Sequence, residues 1–498
     1  MRKLAHLLTL LLVAVAATAA AEASEDQGSD NMSRQATWDD GGEYRMGTDL
    51  AFWQDRAVLG RYDGLEIMDI SDPDRPRHLG GIDCAGNQND VSIWEHLAFV
   101  SVDSPMASDA CDAGGASTGA VAAGSHWEGI RIFDVRRPNA ITQIGSVYLD
   151  CGSHTHTLVP DLDHRDWATG RPDPRVLLYA SSYPLGGQGS RCNAVSHRQI
   201  SVIEVPLRDP DRARVVSTPD VSPAVGCHDI TVFLPRKLAL AACISESQVW
   251  DISDPARPVV LSHIRNPAME IHHSSAWSWD GEVAVLGDEK GGAAAASGCQ
   301  TGGNAPTGAL WFYDLSDPLR PEVLSWYTPP QDVRDSTMCT AHNFNVVPTT
   351  NGQRLLAISW YHAGTQVIDF TDATKPEQVA WYRALDGVRN NPWSSYFYNG
   401  RIFANNFDAG YVPPVPESRG FDVFAVDHPG LESARELHHL NPQTQEVIPG
   451  LDQGRPVPPA AVARARLQAA SAAVSAPAGA EGPAGDVIPA DRLPFCLL

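Results

Sequence analysis

Lysine is nearly missing from this sequence. Only Lys3, Lys237, Lys290 and Lys375 stand beside 33 arginines in 498 residues. Charge of either sign is sparse, at 19% of residues, and it leans acidic: 60 Asp and Glu against 37 Lys and Arg, a net charge of −23. A field of that sign repels phosphate, which argues against nucleic acid or an anionic membrane surface as partner. No apolar run reaches the roughly 20 residues that cross a bilayer, so no transmembrane segment is expected. The nine cysteines contain no Cys-x-x-Cys pair, which removes the usual thiolate metal site. What is plentiful is punctuation, 41 Gly and 37 Pro, with 43% hydrophobic residues to build a core. That balance suits many short strands and turns rather than long helices.

The chain opens with Arg2 and Lys3, an apolar stretch from Leu7 to Ala17 and a small-x-small site at 19–23. This pattern predicts a cleavable signal peptide over residues 1–23 and export, secreted or to the periplasm or cell surface. Residues 24–44 read as a linker and 441–498 as an Ala/Pro-rich, disordered tail, leaving 45–440 for the fold.

An internal repeat organises that central part. Leu65-Glu-Ile-Met-Asp69-Ile-Ser-Asp-Pro73 matches Leu310-Trp-Phe-Tyr-Asp314-Leu-Ser-Asp-Pro318, and Val249-Trp-Asp251-Ile-Ser-Asp-Pro255 is a shorter copy. Ile130 to Val135 and Val367 to Asp372 follow the same plan, and weaker copies end at Glu204 and Ala425, with spacings of 47 to 70 residues. Each copy is a short apolar strand ending in an acidic residue and stopped by a Ser-Asp-Pro turn. Asp and Ser bond the turn's own amides there, while Pro removes a ladder donor. With two further strand-like runs before each marker and one after, the unit has four strands. Seven such units predict an all-β, seven-bladed β-propeller, in which radial repetition hides most sheet edges.

The strand plus Asp-hydrophobic-Ser-Asp-Pro pattern resembles the LVIVD repeat of exported bacterial propellers. Gly226-Cys-His-Asp229, His272-His-Ser-Ser-Ala-Trp277 with Gly287-Asp-Glu289, and His342-Asn343 with Ser359-Trp-Tyr-His-Ala-Gly364 are similar to the choice-of-anchor B group. The resemblance spans roughly residues 45 to 440, implies the propeller fold and implies no defined reaction. Glu204-Val-Pro and Ala425 depart from the repeat.

In a propeller the first strand of each blade lines the central channel, so the strands' N-terminal ends converge on one mouth. At those ends stand Asp49, Asn89-Asp90, His154, His156, His228, Asp229, His272, His273, His342 and Asn343. Six of the 17 histidines thus fall in four windows that the fold gathers. Asp288, Glu289 and His362, on second strands, are expected to join them. Imidazoles flanked by carboxylates suit one transition metal ion, its identity open. Residues opening inner strands also serve simply to bond the next blade's backbone. Cysteines near the same mouth predict the bridges Cys84–Cys111, Cys151–Cys192, Cys227–Cys243 and Cys299–Cys339, with Cys496 left over.

The leading functional expectation is a monomeric, non-catalytic exported scaffold that binds an unidentified ligand or protein at the His/Asp-lined mouth. The first alternative is a metal-dependent enzyme, oxidase or hydrolase in type, built on the same cluster. The second is a cell-surface adhesion or structural module.

Overall fold

The computed structural model describes residues 26–40, 46–111, 126–182, 197–290, 306, 308–331, 339–384, 391–407, 420–454 and five positions between 460 and 467. The expected signal peptide at 1–23, Cys192, Cys299, Cys496 and nearly all of 455–498 lie outside the described residues.

The regular structure is almost entirely β-strand, in antiparallel four-stranded units that follow one another along the chain. The first unit runs Gly47–Trp53, Arg56–Arg61, Gly64–Asp69 and Arg77–Asp83; the second runs Val91–Trp94, Leu97–Met106, Trp127–Asp134 and Thr142–Tyr148. Further units begin at the strands Thr155–Asp161, Ile230–Phe233 and His272–Trp277. The remaining nine-stranded sheet joins the Ala341–Val346 unit to the Pro392–Tyr398 unit through a single parallel pairing, Asn343 with Ser394. The fold is propeller-like.

The repeat has a visible mechanism. The marker carboxylates of Asp69, Asp134, Asp251, Asp314 and Asp369 each accept the amide two residues on, at 2.8–3.0 Å. The apolar residue between donates its own amide back to the turn joining the unit's first two strands, as Ile252 does to the Lys237 carbonyl at 3.0 Å. Glu204, one methylene longer, instead pairs with Arg175 and Arg214. Between units the space is filled by buried side chains such as Trp250, Trp277, Tyr179 and Phe233.

Two boundaries drawn from the sequence are corrected. Within the expected linker, Met32–Trp38 pairs along Phe421–Val426 and becomes the outer strand of the last unit, so chain start and chain end share one sheet. Alternating burial along that strand shows why it holds despite its polar composition. At the other end, residues 441–454 are packed, not a tail. His439–Leu440 pairs with Gly47–Trp53, and Thr444–Gln445 runs parallel to Ile230–Phe233. Between them the side chains act as strand mimics. Asn441 bonds both the amide and the carbonyl of Ile93, and Gln445 does the same to Trp277, all at 2.8–3.0 Å. Thr444 donates to the Leu158 carbonyl at 2.6 Å. This segment therefore straps across the C-terminal ends of several first strands.

Removing an amide that satisfies two buried backbone groups should be costly. Asn441→Ala and Gln445→Ala are each expected to lose about 1–3 kcal/mol, read as a lower urea midpoint with an unchanged slope. The exposed Trp167→Ala serves as a control with a change within about 0.5 kcal/mol.

Candidate functional site

The first strands begin irregularly. Register shifts fall between Gly47 and Leu50, His272 and Ser274, Ala341 and Phe344, and Pro392 and Ser394. A bulge breaks the two-residue alternation and re-aims side chains. Adjacent residues such as His272 and His273 consequently have different surroundings.

Four imidazoles form a continuous row. His154 Nε2 lies 2.9 Å from His228 Nε2, the His228 and His273 ring centres are 3.7 Å apart, and those of His273 and His342 4.5 Å. Asp103 Oδ2 holds His154 Nδ1 at 2.6 Å. The Trp393 carbonyl holds His342 Nδ1, which must therefore carry the proton and leave Nε2 as a bare lone pair. That Nε2 is 3.5 Å from Glu289 Oε1, while the other Glu289 oxygen is 3.4 Å from His273 Nε2. Asp229 Oδ1 sits 3.1 Å from His228 Nδ1.

Two sets of three residues are close enough to hold an ion: His273, Glu289 and His342, and His228, Asp229 and His273. All five are buried. His273 is the exception in the row. It is 0% exposed, and neither ring nitrogen makes a hydrogen bond.

Burial holds His228, His273 and His342 neutral. It is the main reason why His228 and His273 lie well below the usual imidazole range, and it pushes His342 down to about 3. Neutral imidazole is the form that binds metal. Burial first, then the negative charges of Asp90, Asp49 and Glu289, drives Asp229 well above the usual carboxylate range. Without a cation, the Asp229–His228 contact is therefore one between neutral partners.

Several expected members fall elsewhere. His156 is locked between Ser92 Oγ (2.7 Å) and Ser101 Oγ (2.8 Å), with its amide on Asp90. His272 Nδ1 turns to Ser247 Oγ at 2.8 Å. Asp288 spends its carboxylate on the amides of Glu270, Ile271 and Gly308. These three act as backbone and strand fasteners: local groups satisfy both His156 nitrogens and the Asp288 carboxylate, while His272 is held through Nδ1 alone. Asn343 and His362 also stand outside both sets; His362 occupies a left-handed turn, its amide on Asn391. Sequence reasoning missed Asp103. Its signal was positional, since Asp103 lies late in the second strand Leu97–Met106, as Asp288 lies at the end of Val283–Asp288.

The cysteines meet expectation at two bridges, Cys84–Cys111 and Cys227–Cys243. Cys151 and Cys339 are also disulfide-bonded, and their expected partners lie outside the described residues. Such bridges fit an oxidising, extracytoplasmic setting. No helix among the described residues is long and apolar enough to cross a membrane.

No family model and no curated protein matches this chain. Solved structures do. The periplasmic gluconolactonase of Pseudomonas aeruginosa is 14% identical, with 79% of this chain and 100% of that one covered and a TM-score of 0.47. Two provisional 6-phosphogluconolactonases are similar. That of Bacteroides uniformis is 12% identical, with 71% and 88% covered and a TM-score of 0.45. That of Bacteroides fragilis is 10% identical, with 72% and 87% covered and a TM-score of 0.44. At these values the likeness is one of fold.

The expectation of a non-catalytic scaffold is corrected here. The residues expected to present an open binding face are instead enclosed and face one another.

His156 supplies a pH test. Burial pushes it down to about 3, whereas the unfolded chain protonates near 6.5. The unfolded state therefore binds the extra proton as pH falls through that window, and His156 costs stability progressively below about 6.5 until about 3. Relative to the parent, His156→Gln should gain up to about 1.4 kcal/mol per pH unit over that range. A gap that stays constant in denaturant titrations from pH 7 to 4 would contradict the assignment.

Proposed function

We propose that this chain is a metal-dependent enzyme of hydrolase type, working at the N-terminal mouth of a seven-bladed propeller of LVIVD type. In this reading residues 1–23 direct its export. Six sheets, one of them two units joined at a single pairing, support the blade count. The repeat residues support the family.

The observation that carries the reading is the set His273, His342 and Glu289. It offers two imidazole nitrogens and a carboxylate, the donor count of catalytic zinc sites that keep a position open for water. A closed structural site would need a fourth protein ligand, and the six described cysteines are engaged in bridges. The orphaned nitrogens of His273 fit such an ion, because a buried lone pair with no donor is otherwise a net cost. When bound, the ion would lower the pKa of a coordinated water and polarise a carbonyl.

The chain's own residues do the positioning. The Trp393 carbonyl fixes the His342 tautomer, and the rings of Tyr361 and Trp393 pack on that imidazole at 4.6 and 4.8 Å. Asp103 orients His154, which in turn fixes His228. Outer partners of this kind set ligand geometry and basicity.

Protein purified without a polyhistidine tag should carry a transition metal, and a His273→Ala/His342→Ala variant should not. Chelation should abolish hydrolysis of an ester and lactone panel, with activity restored by the same metal. A parent that stays metal-free after reconstitution contradicts the proposal. For the outer partner, Asp103→Asn is expected to weaken metal affinity about 10-fold or more.

A further inference from the structure

Resting on that reading, the histidine row carries a second conclusion. In the set His273, His342 and Glu289, the nitrogens beside the carboxylate are His273 Nε2 and His342 Nε2. It leaves His273 Nδ1 buried with no acceptor. If Nε2 gives its lone pair to an ion, a neutral ring must keep its proton on Nδ1, and that N–H still faces nothing. The other rings in the row do not share this problem: Trp393 O stands behind His342, and Asp103 behind His154.

The neighbouring set is His228, Asp229 and His273. With a cation on its Nδ1, neutral His228 keeps its proton on Nε2 and donates it to His154 Nε2, 2.9 Å away, while His154 donates Nδ1–H to Asp103. That cation takes the place of the one proton shared between His228 Nδ1 and Asp229 Oδ1, 3.1 Å apart. Asp49 and Asp90, both buried, add two further carboxyl groups near Asp229.

We infer that the mouth holds two cations, the second on His228, Asp229 and one nitrogen of His273, with His273 shared between both as an imidazolate. The second ion displaces the Nδ1 proton of His273 and the proton that Asp229 shares with His228. Both protons leave to solvent, so two positive charges replace two. No other group in the row has both ring nitrogens free for this role.

The test is the stoichiometry of the full exported chain, stripped by chelation and reloaded with Zn(II), then measured by elemental analysis. Two equivalents are expected in the parent, one in Asp229→Asn and one in Glu289→Gln. Copper-loaded parent should show weakened electron paramagnetic resonance per copper, since two Cu(II) ions on one imidazolate couple magnetically. The Asp229→Asn variant should show a full, uncoupled signal. One equivalent in the parent, or an uncoupled parent signal, overturns the second position and leaves the single-metal reading intact. No bound metal overturns both. The parent measurements decide the matter even if a buried variant fails to fold.

Discussion

Around the axis, four neighbouring pairs of first strands are tied together by side-chain hydroxyls reaching across to backbone carbonyls. Thr155 bonds the His228 carbonyl, Thr157 that of Ile230, Thr231 that of Ser275, Ser274 that of His342, and Ser394 that of Thr48. All run in the same sense around the ring. A full backbone ladder between first strands would merge the units into one flat sheet. Hydroxyl links satisfy the carbonyls while letting the strands splay, and a buried carbonyl left without one would cost free energy. The linked carbonyls include those of His228 and His342, so this stitching also fixes where the imidazole row sits.

The axis is closed differently at its two ends. At the C-terminal ends of the first strands, Asn441, Thr444 and Gln445 present amides and a hydroxyl that complete open backbone groups. At the N-terminal ends the available groups are imidazoles and carboxylates, which can satisfy one another only in part. Neutral rings and proton-bearing acids are the outcome when they are buried together with no cation. A divalent ion resolves the shortage of positive charge in one step. Polar saturation at one end and ligand surplus at the other give the molecule a structural floor and a chemical mouth.

Much of this was legible in the sequence. The marker Asp residues and their Ser-Asp-Pro turns report the repeat because the carboxylate-to-amide bond needs those residues at that spacing, and Asp69, Asp251 and Asp314 keep it. The gathering of His154, His228, His273 and His342 follows from strand order alone. Which neighbour faces the axis was not legible, since bulges at His272 and Ala341 break the alternation on which such reasoning depends. His272 and Asp288 were misassigned for that reason; His156 lies in a regular strand, and its ring is taken up by Ser92 and Ser101 of the neighbouring unit. The strap at 441–454 was missed because its function lies in polar side chains imitating a strand, and no apolar periodicity announces that. The closing strand Met32–Trp38 has only three apolar residues in seven and read as linker.

The central claim is that buried imidazole and carboxylate at the channel mouth form a metal centre. X-ray absorption at the edge of the metal carried by the native protein tests it most directly. The account predicts a first shell of nitrogen and oxygen only, with the outer-shell scattering of at least two imidazole rings. A shell containing sulfur, or one of oxygen alone without imidazole scattering, would contradict it.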